Sequence, residues 1–248
     1  MLEGWLDQGI SPADVVVVEP SQPALAAGVT VVADQSGVPA AFAPDVVVLA
    51  VKPQMMDGVA PAYGRYRQAV FLSIAAGKTL AYFAQHLGEG AAIVRVMPNT
   101  PAAVRCGMSV AVANAHVSAE QRRLCGELLS SVGEVAWIDN EALMDPVTAV
   151  SGSGPAYVFL LAEVMAQAGI AAGLPEELAT RLARATVAGS GELLRQSVEA
   201  AGQLRQNVTS PGGTTFAALQ VLMGDDGMGP LMTRAVRAAS DRSRELAG

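Results

Sequence analysis

The segment Asn207–Thr215 carries the residue types that a binding site for a small organic anion needs. Its serine and threonine hydroxyls can donate hydrogen bonds, Pro211 fixes one backbone angle, and Gly212-Gly213 lets a ligand approach the peptide N–H groups. Residues 216–222 are typical of a helix, whose unpaired first-turn amides and positive dipole end favour an anion. Hydrogen bonds to a carboxylate contribute about 1.5–3 kcal/mol each. A proline-glycine turn that only begins a helix is the alternative interpretation.

Short β-branched runs separated by helical segments predict a parallel sheet upstream of this segment. The runs are residues 15–18, Val29–Val32, Val46–Val51, Val70–Ser73 and Ala92–Met97. Helices are expected at Met55–Ala62, Thr79–Leu87 and Ser118–Val132, the last because Ser118 and Gln121 have the spacing of a capping box. This βαβ alternation predicts an open, doubly wound sheet that binds ligands at the carboxyl ends of its strands. Met108–Ala113 and Val135–Trp137 are expected to close its far edge.

The ends of these strands carry residues that suit a dinucleotide. The first run ends in Glu19-Pro20-Ser21-Gln22, where a dinucleotide-binding sheet meets the adenosine ribose. An acidic residue there can bind the ribose 2′-OH, whereas Ser21 could accept a 2′-phosphate, so NAD and NADP both stay open. Small residues in Ser73–Gly77 and the rigid turn within Arg95–Pro101 would line a flat slot that suits a nicotinamide ring. Each turn taken alone could be purely structural.

The chain becomes all-helical after Asp139. Residues 148–157 form a glycine- and serine-rich hinge in which Pro155 suits a first helical turn. A long helix to about Gly169 and a second segment from Pro175 to about Ala201 are rich in small residues, so the two can pack closely. They are too apolar to be buried by one chain, and a homodimer interface is the simplest explanation.

Composition excludes several classes of function. A net charge of −7 and a pI near 4.8 argue against nucleic-acid or anionic-membrane partners, which need clustered Lys and Arg. No apolar run approaches the roughly 18–20 residues of a spanning helix. Two cysteines, Cys106 and Cys125, make neither a disulfide framework nor a metal site, and a cytoplasmic location is expected.

Five segments, in this order and spacing, resemble pyrroline-5-carboxylate reductases, and the resemblance covers essentially the whole chain. They are Ala50–Pro53, Ser73–Gly77, Arg95–Pro101, Ser151–Tyr157 and Ser210–Thr215. The resemblance implies a Rossmann-type doubly wound parallel sheet over residues 1–147, followed by a helical substrate-binding and dimerisation domain over residues 148–248. It also implies hydride transfer from NAD(P)H to the C=N carbon of a cyclic imino acid, the last step of proline biosynthesis. A homodimer is implied, and a decamer of five dimers is the larger assembly expected.

The resemblance also implies roles for individual residues. The substrate carboxylate would be held at Ser210, Gly213, Thr214 and Thr215. Thr148 would contact the ring nitrogen or relay a proton, although it could simply cap a helix. The cofactor is expected to be NADP(H), with NAD(H) possible, and its site to include Ser21, Val51, Lys52, Pro53, Ala75, Met97, Pro98, Asn99 and Thr100. No metal is expected, and neither His86 nor His116 is expected to act as an acid or base.

The sequence departs from the family pattern at its start. The family begins with a strand and a glycine-rich turn that holds the pyrophosphate, whereas this sequence begins inside the helix that should follow. We therefore expect weaker NADP(H) binding than in a relative that has that segment. One alternative function is a non-catalytic or cofactor-deficient homologue that only dimerises. The other is a different imine or β-hydroxyacid reductase, but the lysine expected on its first long helix is absent between Tyr157 and Gly169.

Overall fold

A computed structural model describes residues 1–247 of the chain. The chain divides into two compact units. The first comprises Met1–Gly152 together with the end of the last helix from Asp241, and the second comprises Ser153–Ser240. The main segment of the first unit ends at Gly152, and the domain boundary after residue 147 stays a prediction.

The strands of the described residues form two sheets in the first unit. They are β1 (Val16–Val18), β2 (Thr30–Val32), β3 (Val46–Leu49), β4 (Val70–Ser73), β5 (Ala92–Met97), β6 (Gly107–Ala113) and β7 (Gly133–Trp137). Strands β1 and β2 form a parallel pair of their own, and the other five form a sheet in the order β3-β4-β5-β6-β7. The predicted parallel-dominated sheet is confirmed, and it is divided into these two pieces.

One strand runs against the others. Strand β6 pairs with β5 in the antiparallel direction, with Met97 opposite Val110, while every other pairing in the five-stranded sheet is parallel. The connection from β5 to β6 spans residues 98–106 and contains one helical turn, Thr100–Val104. This connection is too short for a parallel crossover, which needs a dozen or more residues. Strands β6 and β7 close the far edge of the sheet as predicted.

The helices mostly begin where the sequence predicts. They are α1 (Leu2–Asp7), α2 (Met56–Val59), α3 (Leu80–Leu87), α4 (Ala119–Ser130), α5 (Met144–Val147), α6 (Gly154–Ala171), α7 (Glu176–Gln196), α8 (Ala201–Asn207), α9 (Thr214–Leu222) and α10 (Met228–Ala247). The capping box forms, because Ser118 Oγ accepts from Gln121 N and Gln121 Oε1 accepts from Ser118 N.

Two predicted helices are broken in the structure. The expected Met55–Ala62 helix is instead the four-residue α2 between two short 3₁₀ turns, because Gly58 and Pro61 disfavour a continuous helix. The expected segment from Pro175 to about Ala201 is interrupted after Gln196. It continues as α8, which leads into the predicted anion site.

The core of the first unit lies on both faces of the five-stranded sheet. On one face Phe71 and Ile93 pack with Phe83 of α3. On the other face Leu72 and Val94 pack with Leu129 of α4. Adjacent residues of β4 therefore point to opposite layers, as they do in a doubly wound sheet buried on both sides.

The second unit is helical and leaves much of its apolar surface uncovered. Helices α6 and α7 pack closely, since a Cβ placed on Gly169 would lie 3.3 Å from the Cβ of Ala179. Yet Phe159 is 66% exposed and Leu160 is 56% exposed. The helical stretch Glu141–Ala171 is long and apolar enough to cross a membrane by length and composition alone, a test that core helices of soluble proteins also pass. Exposure on this scale also suits a surface that a second subunit covers.

Candidate functional site

All the predicted cofactor residues except Ser21, which follows β1, lie at or just after the carboxyl ends of strands in the five-stranded sheet. Strands β3, β4 and β5 run parallel in consecutive positions, so their carboxyl ends lie side by side. The segments that follow them are Val51–Pro53, Ser73–Gly77 and Met97–Thr100. The sheet therefore brings together the two turns predicted to line a nicotinamide slot and the Lys52-Pro53 turn predicted to contact the cofactor.

A hydrogen bond to the buried hydroxyl of Ser73 stabilises the turn after β4. Ser73 is fully buried, and its Oγ accepts a hydrogen bond of 3.2 Å from Ala75 N. Gly77 has φ of +75°, which favours glycine. Thr79 then caps α3 by accepting from Tyr82 N. Ala75 is itself 5% exposed, so it lies beneath the turn, and the exposed Ala76 faces the solvent.

The side chain of Asn99 is committed to the protein itself. Its Oδ1 accepts from Met108 N at 2.9 Å, and its Nδ2 donates to Ser151 Oγ at 3.3 Å. A Cβ on Gly152 would lie 2.5 Å from Met97 Cε, so the chain after Thr148 passes close over this turn. Asn99 thus fastens the hinge to the turn after β5.

Thr148 opens a π-helical turn that covers Thr148–Gly152. Such turns are rare and frequently occur at functional sites. The Thr148 hydroxyl donates to Met144 O at 2.8 Å, and the residue is half-buried. Since the only hydroxyl proton is used in this bond, the oxygen keeps its lone pairs for a donor.

The turn after β1 contains a carboxylate that is already hydrogen-bonded. Glu19 Oε1 accepts from both Ser21 N and Ser21 Oγ, each at 3.1 Å. Both residues are exposed. The two residues that the sequence analysis weighed against each other, for NAD and for NADP, therefore contact one another.

The predicted anion-binding segment, Ser210–Thr215, lies in the second unit at the start of α9 and is called the cradle below. A hydrogen bond of 3.0 Å from Gly213 N to Ser210 O closes the turn, and Gly212 has φ of +67°. Gly213 is the N-cap, and no side chain caps the first turn of α9. Within the described residues, the hydroxyls of Ser210, Thr214 and Thr215 have no hydrogen-bond partner. Amides and hydroxyls at one helix start are the donors that a carboxylate requires.

The structure contains an ion pair between Arg95 and Glu141 that was not predicted from the sequence. Arg95 of β5 is 7% exposed, and its Nη1 lies 2.7 Å from Glu141 Oε1. The same oxygen accepts from Leu80 N at 2.9 Å. A single arginine within the apolar run Ala92–Met97 was the signal that could have revealed a partner, because charges are buried only when they are paired.

The residues of the first unit fit part of a reduced dinucleotide. The exposed Glu19 carboxylate stands at the strand end that meets an adenosine ribose, and small side chains follow β4 where a flat ring would lie. Bound there, the cofactor supplies the hydride.

Comparisons with known proteins show the family to which this chain is similar. Residues 141–246 match the family model described as pyrroline-5-carboxylate reductase dimerisation. A pyrroline-5-carboxylate reductase of Pseudomonas aeruginosa is 43% identical over 254 aligned residues, which cover 100% of this chain and 92% of the relative. The enzyme of Synechocystis is 44% identical, with 84% of this chain and 77% of the relative covered.

Two solved structures are similar along almost the whole chain. The pyrroline-5-carboxylate reductase of Coxiella burnetii has a TM-score of 0.91 and 34% identity, covering 100% of this chain and 93% of its own. The Plasmodium falciparum pyrroline carboxylate reductase, solved with NADP bound, has a TM-score of 0.81 and 29% identity, covering 99% and 92%.

Proposed function

This chain belongs to the pyrroline-5-carboxylate reductase family of NAD(P)H-dependent oxidoreductases, and we propose how its own residues reduce 1-pyrroline-5-carboxylate to L-proline. The observation that carries the proposal is the start of α9, where amides without a side-chain cap and three unpartnered hydroxyls form one anion site. The reaction needs orientation and a fixed anion site more than it needs a strong acid or base.

The carboxylate of the imino acid binds the cradle. The hydroxyls of Ser210, Thr214 and Thr215 donate to it. Gly213, whose amide closes the turn on Ser210 O, carries no side chain that would keep the carboxylate from the start of α9. Charge-assisted hydrogen bonds of about 1.5–3 kcal/mol each hold the substrate in one orientation. The dipole of α9 adds to the attraction because its positive end faces the cradle.

The sheet edge binds the reduced cofactor. Val51, Lys52 and Pro53 after β3, and Ala75 after β4, form two sides of its site. Backbone groups of Met97, Pro98 and Thr100 form the third, because the Asn99 amide is engaged with Met108 and Ser151. Ser21 lies at the adenosine end.

Thr148 orients the ring nitrogen of the substrate. Because its hydroxyl proton is donated to Met144 O, its oxygen acts as an acceptor. An acceptor suits the protonated imine, which carries an N–H and is the form more reactive toward hydride. Thr148 thereby favours the iminium over the neutral imine without itself losing a proton.

The helical half joins two chains. The dimerisation match over residues 141–246 and the exposed apolar side chains of α6 support a homodimer. We further propose that five dimers form a decamer and that the enzyme acts in the cytoplasm. A chain whose two cysteines, Cys106 and Cys125, form no disulfide suits that compartment.

The direct test is loss of reduced-cofactor absorbance when the purified chain is mixed with 1-pyrroline-5-carboxylate and NADPH or NADH. Formation of proline in equal amount, and no loss without the imino acid, are the expected results. A well-folded dimer that consumes neither cofactor would overturn the proposal and favour a homologue that only dimerises.

A further inference from the structure

The turn that follows β1 is organised around the Glu19 carboxylate. Gln22 N donates to Glu19 O at 2.9 Å, which closes the turn, and Gln22 adopts φ of +44°. Within this turn Ser21 directs both its amide and its hydroxyl at Glu19 Oε1, at 3.1 Å each. The donors that could have received a phosphate are therefore satisfied by a carboxylate of the same turn.

This turn lies at the carboxyl end of a parallel strand pair. Glu19 N donates to Val32 O at 2.9 Å, so the pairing of β1 with β2 continues past Val18. Glu19 itself is exposed. In a sheet of this type, the end of this strand meets the adenosine ribose of a dinucleotide. This placement rests on the proposed function.

The charge around the turn is negative. The first 51 residues contain no Lys or Arg, and they contain six acidic residues. One basic side chain, Arg65, donates to Gln35 O at 3.1 Å, three residues after β2 ends. Arg65 also donates to Tyr66 OH at 2.7 Å and lies 4.7 Å from the centre of the Tyr66 ring. Its Nη2 is therefore engaged with two neutral groups, one of them just past the end of β2.

We propose that Glu19 makes this chain selective for NADH over NADPH. The carboxylate accepts a hydrogen bond from the 2′-OH of the adenosine ribose in NADH. In NADPH the same position carries a phosphate with nearly two negative charges, which the carboxylate repels. Because no lysine or arginine comes from the first 51 residues, the phosphate gains little compensating attraction there.

Ser21 does not reverse this preference. Its two donors can reach a phosphate only after releasing Glu19 Oε1, and the carboxylate then stays in the same four-residue turn with no donor from Ser21. Releasing it leaves two anions close together, and their repulsion opposes the hydrogen bonds that the phosphate would gain. The Ser21 hydroxyl thus orients the Glu19 side chain for the ribose.

The experiment compares two cofactor fragments that need no catalysis. Isothermal titration of the full chain with ADP-ribose and with 2′-phospho-ADP-ribose gives the two dissociation constants directly. We expect ADP-ribose to bind at least about tenfold tighter, equivalent to about 1.4 kcal/mol. Steady-state turnover with NADH and NADPH is expected to show the same order in kcat/KM.

Two variants test whether the charge of Glu19 causes the difference between the two dissociation constants. Glu19→Gln keeps an acceptor for Ser21 but removes the charge, and it is expected to bring the ratio of the two constants close to one. Asp14→Asn makes the same charge change before the amino end of β1, and it should leave the ratio unchanged. A wild-type chain that binds the phosphorylated fragment as well as ADP-ribose would overturn the proposal, as would a ratio that Glu19→Gln does not alter.

The outcomes also separate this proposal from the proposed function. Turnover with a preference for NADPH overturns the specificity alone and leaves the reductase assignment intact. Binding of neither fragment, together with no turnover, overturns both, because the end of β1 would then not be a ribose site.

Discussion

Glu141 Oε1 lies 2.7 Å from Nη1 of Arg95, and the two side chains are 27% and 8% exposed. The same oxygen accepts from Leu80 N, so one carboxylate connects β5, the start of α3 and the segment that leads to Thr148. Glu141 thereby links the turns that line the nicotinamide slot to the segment that leads to Thr148, all within the first unit.

Removing this carboxylate should destabilise the protein markedly. Glu141→Ala leaves a nearly buried guanidinium without its partner, and we expect a loss of about 2–4 kcal/mol in the free energy of unfolding. Urea denaturation measures this. The control is Glu127→Ala, which breaks an exposed pair with Arg123 and should cost no more than about 0.5 kcal/mol. Equal effects of the two substitutions would contradict the importance of the buried pair.

The Thr148 hydroxyl can be removed without changing the shape of the side chain. We expect Thr148→Val to lower kcat by about 10- to 100-fold, the loss of one hydrogen bond to a charged group, while the affinity for NADH stays constant. Thr148→Ser keeps the hydroxyl and should retain most of the activity. Stopped-flow turnover and cofactor titration separate the two quantities. A fully active valine variant would exclude Thr148 from the reaction.

The cradle can be tested through Thr215. We expect Thr215→Val to raise the KM for the imino acid by about tenfold, because a carboxylate loses one hydrogen-bond donor while packing is preserved. Initial-rate kinetics measure the change. Thr233→Val is the matched control, since that hydroxyl donates to Gly229 O within α10. A Thr215 variant with the kinetics of the Thr233 control would place the substrate carboxylate elsewhere.

The apolar surface of α6 should hold the dimer together. Phe159→Asp introduces a charge where we propose that a partner subunit packs, and we expect a shift from dimer to monomer. Light scattering coupled to size-exclusion chromatography reports the mass. Val104→Asp is the control, because Val104 is 71% exposed in the first unit and should leave the dimer intact. A persistent dimer in the Phe159 variant would exclude this face as the interface.

The two cysteines should differ sharply in reactivity. Burial raises the pKa of the Cys125 thiol to about 12, whereas Cys106 is exposed. The thiolate is the reactive form, so Cys125 stays unreactive at pH 8. Mass spectrometry after brief alkylation is expected to find one adduct, on Cys106. Fast labelling of Cys125 in the folded chain would show that the layer beneath α4 opens readily.

Local signals predicted much of the fold. The β-branched runs predicted β3, β4 and β5 closely, and the Ser118 and Gln121 spacing identified the start of α4, because each depends on residues near in sequence. The glycine pair before Thr214 likewise predicted the start of α9. Interruptions inside a pattern were harder to predict, and Gly58 and Pro61 broke a helix that the surrounding apolar residues had indicated.

Contacts between distant residues were not predictable from one sequence. Glu141 is 46 positions from Arg95 and 61 from Leu80, and no local pattern connects them. The engagement of Asn99 with Ser151 is of the same kind, since it depends on how the hinge folds back on β5. Even Ser21 and Glu19, two positions apart, needed the structure to show that they contact each other.

The separate pair formed by β1 and β2 has a consequence for motion. None of its strand residues is fully buried, so this pair should exchange its amide hydrogens sooner than β4, whose four residues are all buried. A cofactor whose ribose binds Glu19 would slow that exchange, and part of its binding free energy would be used to order the pair. The segment that contains Glu19 would thus both distinguish NADH from NADPH and become less mobile when the cofactor binds.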